Sequence, residues 1–511
     1  MENKFTVIGF LWYELDMGII RRTAAYLAGL PVEQYGIPTQ IGGAINYFLD
    51  SFFVKEEQLR KLGDILPKNP SADIQEKWLG CEYHTTININ RSYPSFARNL
   101  NAWAFSKLFT QYGGPEAQYE IHPFLQTYKH KDYLLDDYKI KIEYEQVSID
   151  LGMEVTLPIH GTFFIKSKSE NIPLVVFFDF CFYERACTIS IRSNSKYQTI
   201  AEKFIQDLEA SIRLNDIYYK KCLMFDKGRL DFIKITSTNW NDVILKDNIK
   251  NIIRDNSVGI LKNIEALASI GMCPNRNVIL ISPPGMAKTT MFRAISNELS
   301  NEVTRVWCTG KSIGCPEDVT SLFEAARTLA PTIVFIEDMD LFGQDRSGLG
   351  GFSQVLNEFL TQLDGTQLNA GVVILASTNN VASMDEALIN RPGRFNLKVE
   401  IPYPDVEDRA KMIQSFFKAV NAFPDSSITK DTWNNMIEIT EGFTGDYIKE
   451  LVKCTVIHAV ANGRVTKNRA TFDSDDLMSA SEQVMRNYNI GKKVKKHHDV
   501  NVDANVRLVS Q

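Results

Sequence analysis

The rhythm of apolar residues divides this chain into segments. Residues 1 to about 130 mix helical stretches with loops; the apolar run 45–53 reads as a helix and Pro67 to Pro70 as a loop. From about 131 to 236 the rhythm is that of strands. Tyr138, Ile140, Ile142 and Tyr144 alternate with polar residues, and the runs 162–165 and 174–183 are aromatic and β-branched. Ile200, Phe204, Leu208 and Ile212 recur every four residues and predict one helix among these strands. Two strand-like runs, 222–225 and 230–235, flank Asp226-Lys227-Gly228, which predicts a hairpin.

The texture changes again near Trp240. Helical stretches now alternate with short apolar runs at 278–281, 303–307, 333–336, 372–375 and 397–401. Apolar strands separated by helices predict a parallel sheet covered on both faces. After Pro404 the pattern is helical to about residue 490, and the last twenty or so residues read as a tail. The expected organisation is a mixed, mainly helical region (1–130), a β-rich α+β region (131–236), an α/β core (237–404), a helical region (405–490) and a basic disordered tail (491–511).

Composition narrows the class. Of 511 residues, 44% are hydrophobic and 23% charged, as in soluble globular proteins. Lys and Arg number 56 against 62 Asp and Glu, a net charge of −6, so no nucleic-acid partner is expected. The one basic run, Lys492, Lys493, Lys495 and Lys496, lies in the tail. Eight cysteines form no Cys-x-x-Cys pair, and the seven histidines include no His-Glu-x-x-His stretch. Reduced cysteines, with no signal peptide and no run of 18 apolar residues, lead us to expect a cytoplasmic protein without a transmembrane anchor.

The α/β region carries the chemistry. Ser282-Pro283-Pro284-Gly285-Met286-Ala287-Lys288-Thr289-Thr290 follows the first strand of the sheet and opens a helix. This is the context of a phosphate loop: backbone N–H groups cradle a β-phosphate, Lys288 neutralises β/γ charge and the Thr289 hydroxyl binds Mg²⁺. Ser282 and Ala287 stand where the strict pattern has glycines. The strand at 332–336 ends in Glu337-Asp338; one acid can hold the magnesium water shell, the other orient and deprotonate a water. Asn379 follows the strand at 372–375, placed for a hydrogen bond to the γ-phosphate or the attacking water. Arg391 and Arg394 flank Pro392-Gly393, and guanidinium groups suit the charge of phosphoryl transfer. Gly442-Phe443-Thr444-Gly445-Asp446 opens a helix, with Thr444 or Asp446 as its cap.

In this order the motifs resemble the AAA family of ATPases over roughly residues 237–490, with a core of the proteasomal-ATPase, membrane AAA protease or Rieske-protein translocase type. The resemblance implies an α/β P-loop NTPase core with a small helical lid, ATP and Mg²⁺ as ligands, and a homo-oligomeric ring, usually hexameric. It implies Walker A at Pro283, Pro284, Gly285, Lys288 and Thr289, Walker B at Glu337 and Asp338, sensor 1 at Asn379, and arginine fingers at Arg391 and Arg394 acting in the adjacent subunit. Asp364-Gly365 looks like the intersubunit signalling motif, and Asp385-Glu386-Ala387-Leu388 also fits. Asp242, Val243 and Gly445 lie in stretches that resemble those flanking the adenine. The acids are reversed relative to the usual Asp-Glu, as in the Rieske-translocase branch. The stretch 309–314 lacks the aromatic–hydrophobic–glycine pore motif and keeps only Ile313-Gly314. The expected function is an ATP-hydrolysing remodeller of a protein client recognised by residues 1–236. The alternative is a nucleotide-binding switch or scaffold with weak or no hydrolysis.

Overall fold

A computed structural model describes residues 70–109, 117–122, 142–180, 186–341, 351–364, 369–379 and 394–490. The helix expected at 45–53 and the basic tail lie outside them.

Six strands form an antiparallel sheet: β1 (Thr86–Pro94), β2 (Tyr119–Ile121), β3 (Glu143–Asp150), β4 (Met153–Ser167), β5 (Pro173–Asp179) and β6 (Ala186–Asn194). Their order is β1-β6-β5-β4-β2, with β3 also on β4. The predicted helix spans Gln198–Leu214 and buries Ile200, Phe204 and Leu208, the four-residue stripe read from the sequence. With the helix Arg98–Lys107 it encloses an aromatic core in which Phe105 meets Phe109, Phe163, Phe178, Phe180 and Phe204. This sheet begins at Thr86, well before the boundary expected near 131.

The hairpin exists as predicted: β7 (Cys222–Asp226) and β8 (Arg229–Phe232) are joined at Lys227 and Gly228, both left-handed with φ of 48° and 81°. Two consecutive positive φ values match the turn to the natural twist of the paired strands. Its place corrects the sequence reading, which grouped it with the β-rich region. β7 pairs in parallel with β10 (Thr304–Thr309), Leu223 opposite Val306, and so extends the α/β sheet. Periodicity identifies a strand but not its partner; here the hairpin satisfies the backbone edge that β10 would otherwise expose.

The seven-stranded sheet runs β13-β9-β12-β11-β10-β7-β8, with β9 at Arg276–Ile281, β11 at Thr332–Glu337, β12 at Val372–Thr378 and β13 at Leu397–Glu400. Every neighbouring pair is parallel except β7 and β8. One face packs Phe292, Trp307 and Phe335; the other packs Phe323, Phe359 and Ile336. Burial on both faces explains why β9 to β12 read as continuous apolar runs rather than alternating ones.

The helical region packs Val406–Ala419, Lys430–Ile439 and Gly445–Ala461 around Phe417, Ile448 and Leu451. It also contains three short strands the sequence pattern did not predict: β14 (Ala422–Pro424), β15 (Val465–Thr466) and β16 (Arg469–Phe472). Strands of two to four residues are too short to show alternation. Among the described residues no helix is long and apolar enough to cross a membrane.

Candidate nucleotide site

Three neighbouring parallel strands end on one edge of the large sheet, and each delivers polar residues there. β9 leads through residues 282–287 into the helix Lys288–Glu298, whose first N–H groups open towards that edge. The loop turns through Gly285 and Ala287, with φ of 80° and 59°. Ala287 therefore occupies the conformation that the glycine of the strict pattern would provide, at a cost of about 1–2 kcal/mol. Ser282 has no such constraint. It is buried, and its hydroxyl donates to the Pro283 carbonyl at 3.0 Å. Pro284 is exposed, and Thr289 and Thr290 are half-buried in the first helical turn.

Gly285 also lets the helical region approach. A Cβ there would lie 2.8 Å from the Thr444 hydroxyl and 2.9 Å from an Asp446 carboxylate oxygen. A Cβ on Gly445 would meet the Gly285 carbonyl at 3.1 Å, and the Asp446 N–H donates to that carbonyl at 3.3 Å. Loop and lid thus meet glycine to glycine. Of the two cap candidates, Thr444 holds the N-cap position.

Lys288 is 8% exposed. Its ammonium donates to the Ser282 carbonyl and hydroxyl at 2.9 Å, to the Pro283 carbonyl at 3.1 Å and to Asn379 Oδ1 at 2.6 Å. Asn379, just past β12, donates through Nδ2 to Asp338 Oδ1 at 2.8 Å. The sequence-predicted lysine, sensor amide and acid therefore form one connected network. Burial holds the Lys288 ammonium below the usual lysine range, against the opposing pull of Asp338, Asp340 and Glu337. Asp338 has φ of 50°, a left-handed turn that bends the chain as it leaves β11.

Glu337 Oε1 is buried, with no hydrogen-bond partner among the described residues. A buried carboxylate oxygen without a donor is uncommon and fits a site completed by a ligand. Magnesium takes one or two protein oxygens beside phosphate and water, so Thr289 and Glu337 suit it. Among the described residues no group of three or more His, Cys, Asp or Glu could hold a metal ion by itself.

Beside the loop is a mainly apolar pocket, lined by Gly285, Met286 and Ala287, by Ile244, Leu245 and Ile249, and by Pro402, Pro404, Met412 and Gly445. Lys246 and Asp408 complete the lining. The sequence reading placed Asp242 and Val243 there. Instead, the Asp242 carboxylate accepts from the Asn239 N–H at 2.8 Å, closing a turn, and Val243 is wholly buried in the core. The lining passes to the next two residues, whose bulk and position after a capped turn were the available signal. Pro402, Pro404 and Met412 carried no sequence signal as pocket residues.

Arg394 departs further from expectation. It is 6% exposed, and its Nε and Nη2 donate to Asp364 Oδ2 at 3.0 and 2.9 Å within the same chain. Asn277 Nδ2 donates to its carbonyl at 2.7 Å. Reaching a neighbouring subunit would require breaking a largely buried ion pair, which costs about 3–5 kcal/mol when fully buried; the geometry makes Arg394 an internal strut. Arg391, Gly365 and residues 385–388 lie outside the described residues. The 309–314 stretch turns inward. Ile313 is 1% exposed, and the hairpin's Lys227 N–H donates to the Ser312 carbonyl at 3.0 Å.

One residue that sequence reasoning passed over stands in this network. Asp340 Oδ1 accepts from the Thr378 hydroxyl at 3.2 Å and from the Asn379 N–H at 3.3 Å. The Glu337-Asp338 pair drew attention because it abuts the strand, while Asp340 lies two residues beyond it in a short turn.

Comparison with known proteins agrees with this geometry. Residues 278–403 match the model of the ATPase family associated with various cellular activities (AAA). The chain is similar to an ATP-dependent zinc metalloprotease FtsH of Acidothermus cellulolyticus, 34% identical over 240 residues, 44% of this chain and 34% of that one. It is likewise similar to an FtsH of Synechococcus sp. (30% over 272 residues, 51% and 40%) and to a chloroplastic FTSH of Medicago sativa (30% over 273 residues, 51% and 36%). The chain thus spans between a third and two fifths of the length of these relatives. Strand order, phosphate loop and paired acids agree with the family match: residues 278–403 form a P-loop ATPase domain of the AAA type.

Proposed function

We propose that this protein binds ATP with Mg²⁺ at the edge of the seven-stranded sheet, hydrolyses it, and uses the cycle in a homo-oligomeric, hexameric ring to remodel a protein client. The observation that carries the reading is the chain of contacts from Lys288 through Asn379 to Asp338 beside the unpartnered Glu337 oxygen. Loop N–H groups and Lys288 bind the β- and γ-phosphates. Mg²⁺, when bound at Thr289 and Glu337, supplies charge neutralisation on the phosphate oxygens. Asp338 accepts the proton of the attacking water, and Asn379 keeps that carboxylate and the phosphate side of Lys288 in line. The apolar pocket at Ile244 and Leu245 takes the adenine. Arg391 is the residue left to act in a neighbouring site, since Arg394 is held by Asp364. The similar FtsH proteins are ATP-dependent, which favours turnover in this chain.

Purified protein of residues 1–511 tests this directly through ATP-dependent phosphate release. Lys288→Ala should reduce release to background. Asp338→Asn should lower kcat by roughly 10²–10⁴-fold, the range for losing a general base, with nucleotide still bound. Wild type no faster than Lys288→Ala would end the hydrolase reading. Binding and assembly without turnover would favour the nucleotide switch, which the strained Ala287 and the sequestered Arg394 otherwise support.

A further inference from the structure

The turn after β11 carries a third acid. Left-handed Asp338 bends the chain, and the Leu341 N–H donates to the Asp338 carbonyl at 2.9 Å, closing a short 3₁₀ turn over Met339–Leu341. The turn is fixed from two sides. Met339 is 2% exposed in the core, and Gly310, at the end of β10, lies so close to the Asp338 carbonyl that a Cβ there would collide with it. A turn held in this way aims Asp340 across β11 to the end of β12.

There it meets the main chain of the sensor. Asp340 Oδ1 accepts from the buried Thr378 hydroxyl and the Asn379 N–H, 3.2 and 3.3 Å away. The Asn379 side chain then spans Lys288 Nζ at 2.6 Å and Asp338 Oδ1 at 2.8 Å. An asparagine amide has two torsions between backbone and head group, so it stays in line only if its peptide is held. The two side-chain contacts set the amide; Asp340 sets the peptide on which it turns.

We infer that Asp340 is a positioning residue of the hydrolysis site, clamping Thr378 and Asn379 so that the Asn379 amide stays aligned between Lys288 and Asp338. The inference rests on the ATPase reading above. It assigns Asp340 no contact with phosphate or water, so its removal should affect the chemical step more than nucleotide binding.

The test compares Asp340→Ala and Asp340→Asn with wild type in the full chain, measuring steady-state ATP turnover, the Kd of a fluorescent ATP analogue and the thermal midpoint. Outer-shell partners of an active centre typically contribute about 10- to 100-fold in activity. Asp340→Ala should therefore lower kcat by about that much, with Kd within about threefold. Asp340→Asn keeps a side-chain oxygen to accept both bonds and should recover most of the rate. Unchanged kcat in Asp340→Ala overturns the inference. So does an Asn variant as slow as the Ala variant, which would make charge on Lys288 the cause. A Kd loss as large as the kcat loss would mean a collapsed loop and also overturns it. Should Asp340→Ala fail to fold, Thr378→Val removes one of the two bonds at constant shape; a lower kcat at unchanged Kd is then expected, and wild-type kcat counts against the clamp. Wild-type protein without turnover would end the ATPase reading and this inference with it, whereas an active wild type with an indifferent Asp340 would end the inference alone.

Discussion

In the seven-stranded sheet six strands run parallel, so β9, β11 and β12 all end on the same edge. In the six-stranded sheet neighbours run antiparallel, so consecutive strand ends alternate between edges. Both are built from similar aromatic and β-branched residues. Their topology decides what the polar residues at strand ends can do. Parallel order gathers Ser282, Lys288, Asp338, Asp340 and Asn379 into one network at a helix N-terminus. Antiparallel order disperses such residues, and the sheet's main feature is its phenylalanine core. One region is organised around charge, the other around packing.

The contrast breaks most visibly where packing is removed. Phe105 is fully buried and in ring contact with five other phenylalanines. Phe105→Ala should cost about 3–5 kcal/mol of stability, the range for truncating a buried aromatic. The measurement is the denaturant midpoint, followed by ATP-analogue affinity of the folded fraction. Affinity should be unchanged. A large loss of affinity at retained fold would mean that the phenylalanine core serves the nucleotide edge, and the division between the two sheets would fail.

Inside the α/β core the same comparison can be sharpened on charge. Arg394 and Asp364 form a bidentate pair in which the arginine side chain is 7% exposed and the aspartate 29%. Asp364→Ala strands the guanidinium. The residual exposure of Asp364 lowers the expected cost below that of a fully buried pair, to about 2–3 kcal/mol. Thermal unfolding checks it. A variant as stable as wild type would show that Arg394 is free to leave, and would return it to the role of an arginine finger.

What the sequence made legible follows the same line. Strands covered on both faces and the helix with Ile200, Phe204 and Leu208 announce themselves by period, and the turn residues Lys227 and Gly228 announce a hairpin. The phosphate loop, the acids and Asn379 were readable because each directly follows an apolar strand. Partnership was not readable. Nothing in the period of β7 says that it pairs with β10 rather than with the antiparallel sheet, and nothing in Arg394 says that Asp364, thirty residues earlier, will hold it. The three short strands of the lid are below the length at which alternation registers. Asp340 was hidden because its function depends on a left-handed bend at Asp338, and aspartate does not require that bend.

The smallest expected effect concerns the strained residue of the loop. Ala287 sits at φ 59° and ψ 21° at the start of the helix that carries Lys288. Its left-handed backbone costs about 1–2 kcal/mol. Glycine would remove that strain but lose about 0.5–1 kcal/mol to the greater freedom of the unfolded chain. Ala287→Gly should therefore stabilise the protein by up to about 1.5 kcal/mol, with the loop conformation preserved. In a chain this long that is a small shift in thermal midpoint, so chemical denaturation with the nucleotide-binding transition followed separately is the better readout. The backbone geometry is common to both residues, so ATP-analogue affinity should move by less than about threefold, a difference of about 0.6 kcal/mol. A destabilised Ala287→Gly would mean that the alanine methyl, facing the apolar pocket, packs better than its strain costs, and that even at this charged edge packing outweighs backbone geometry.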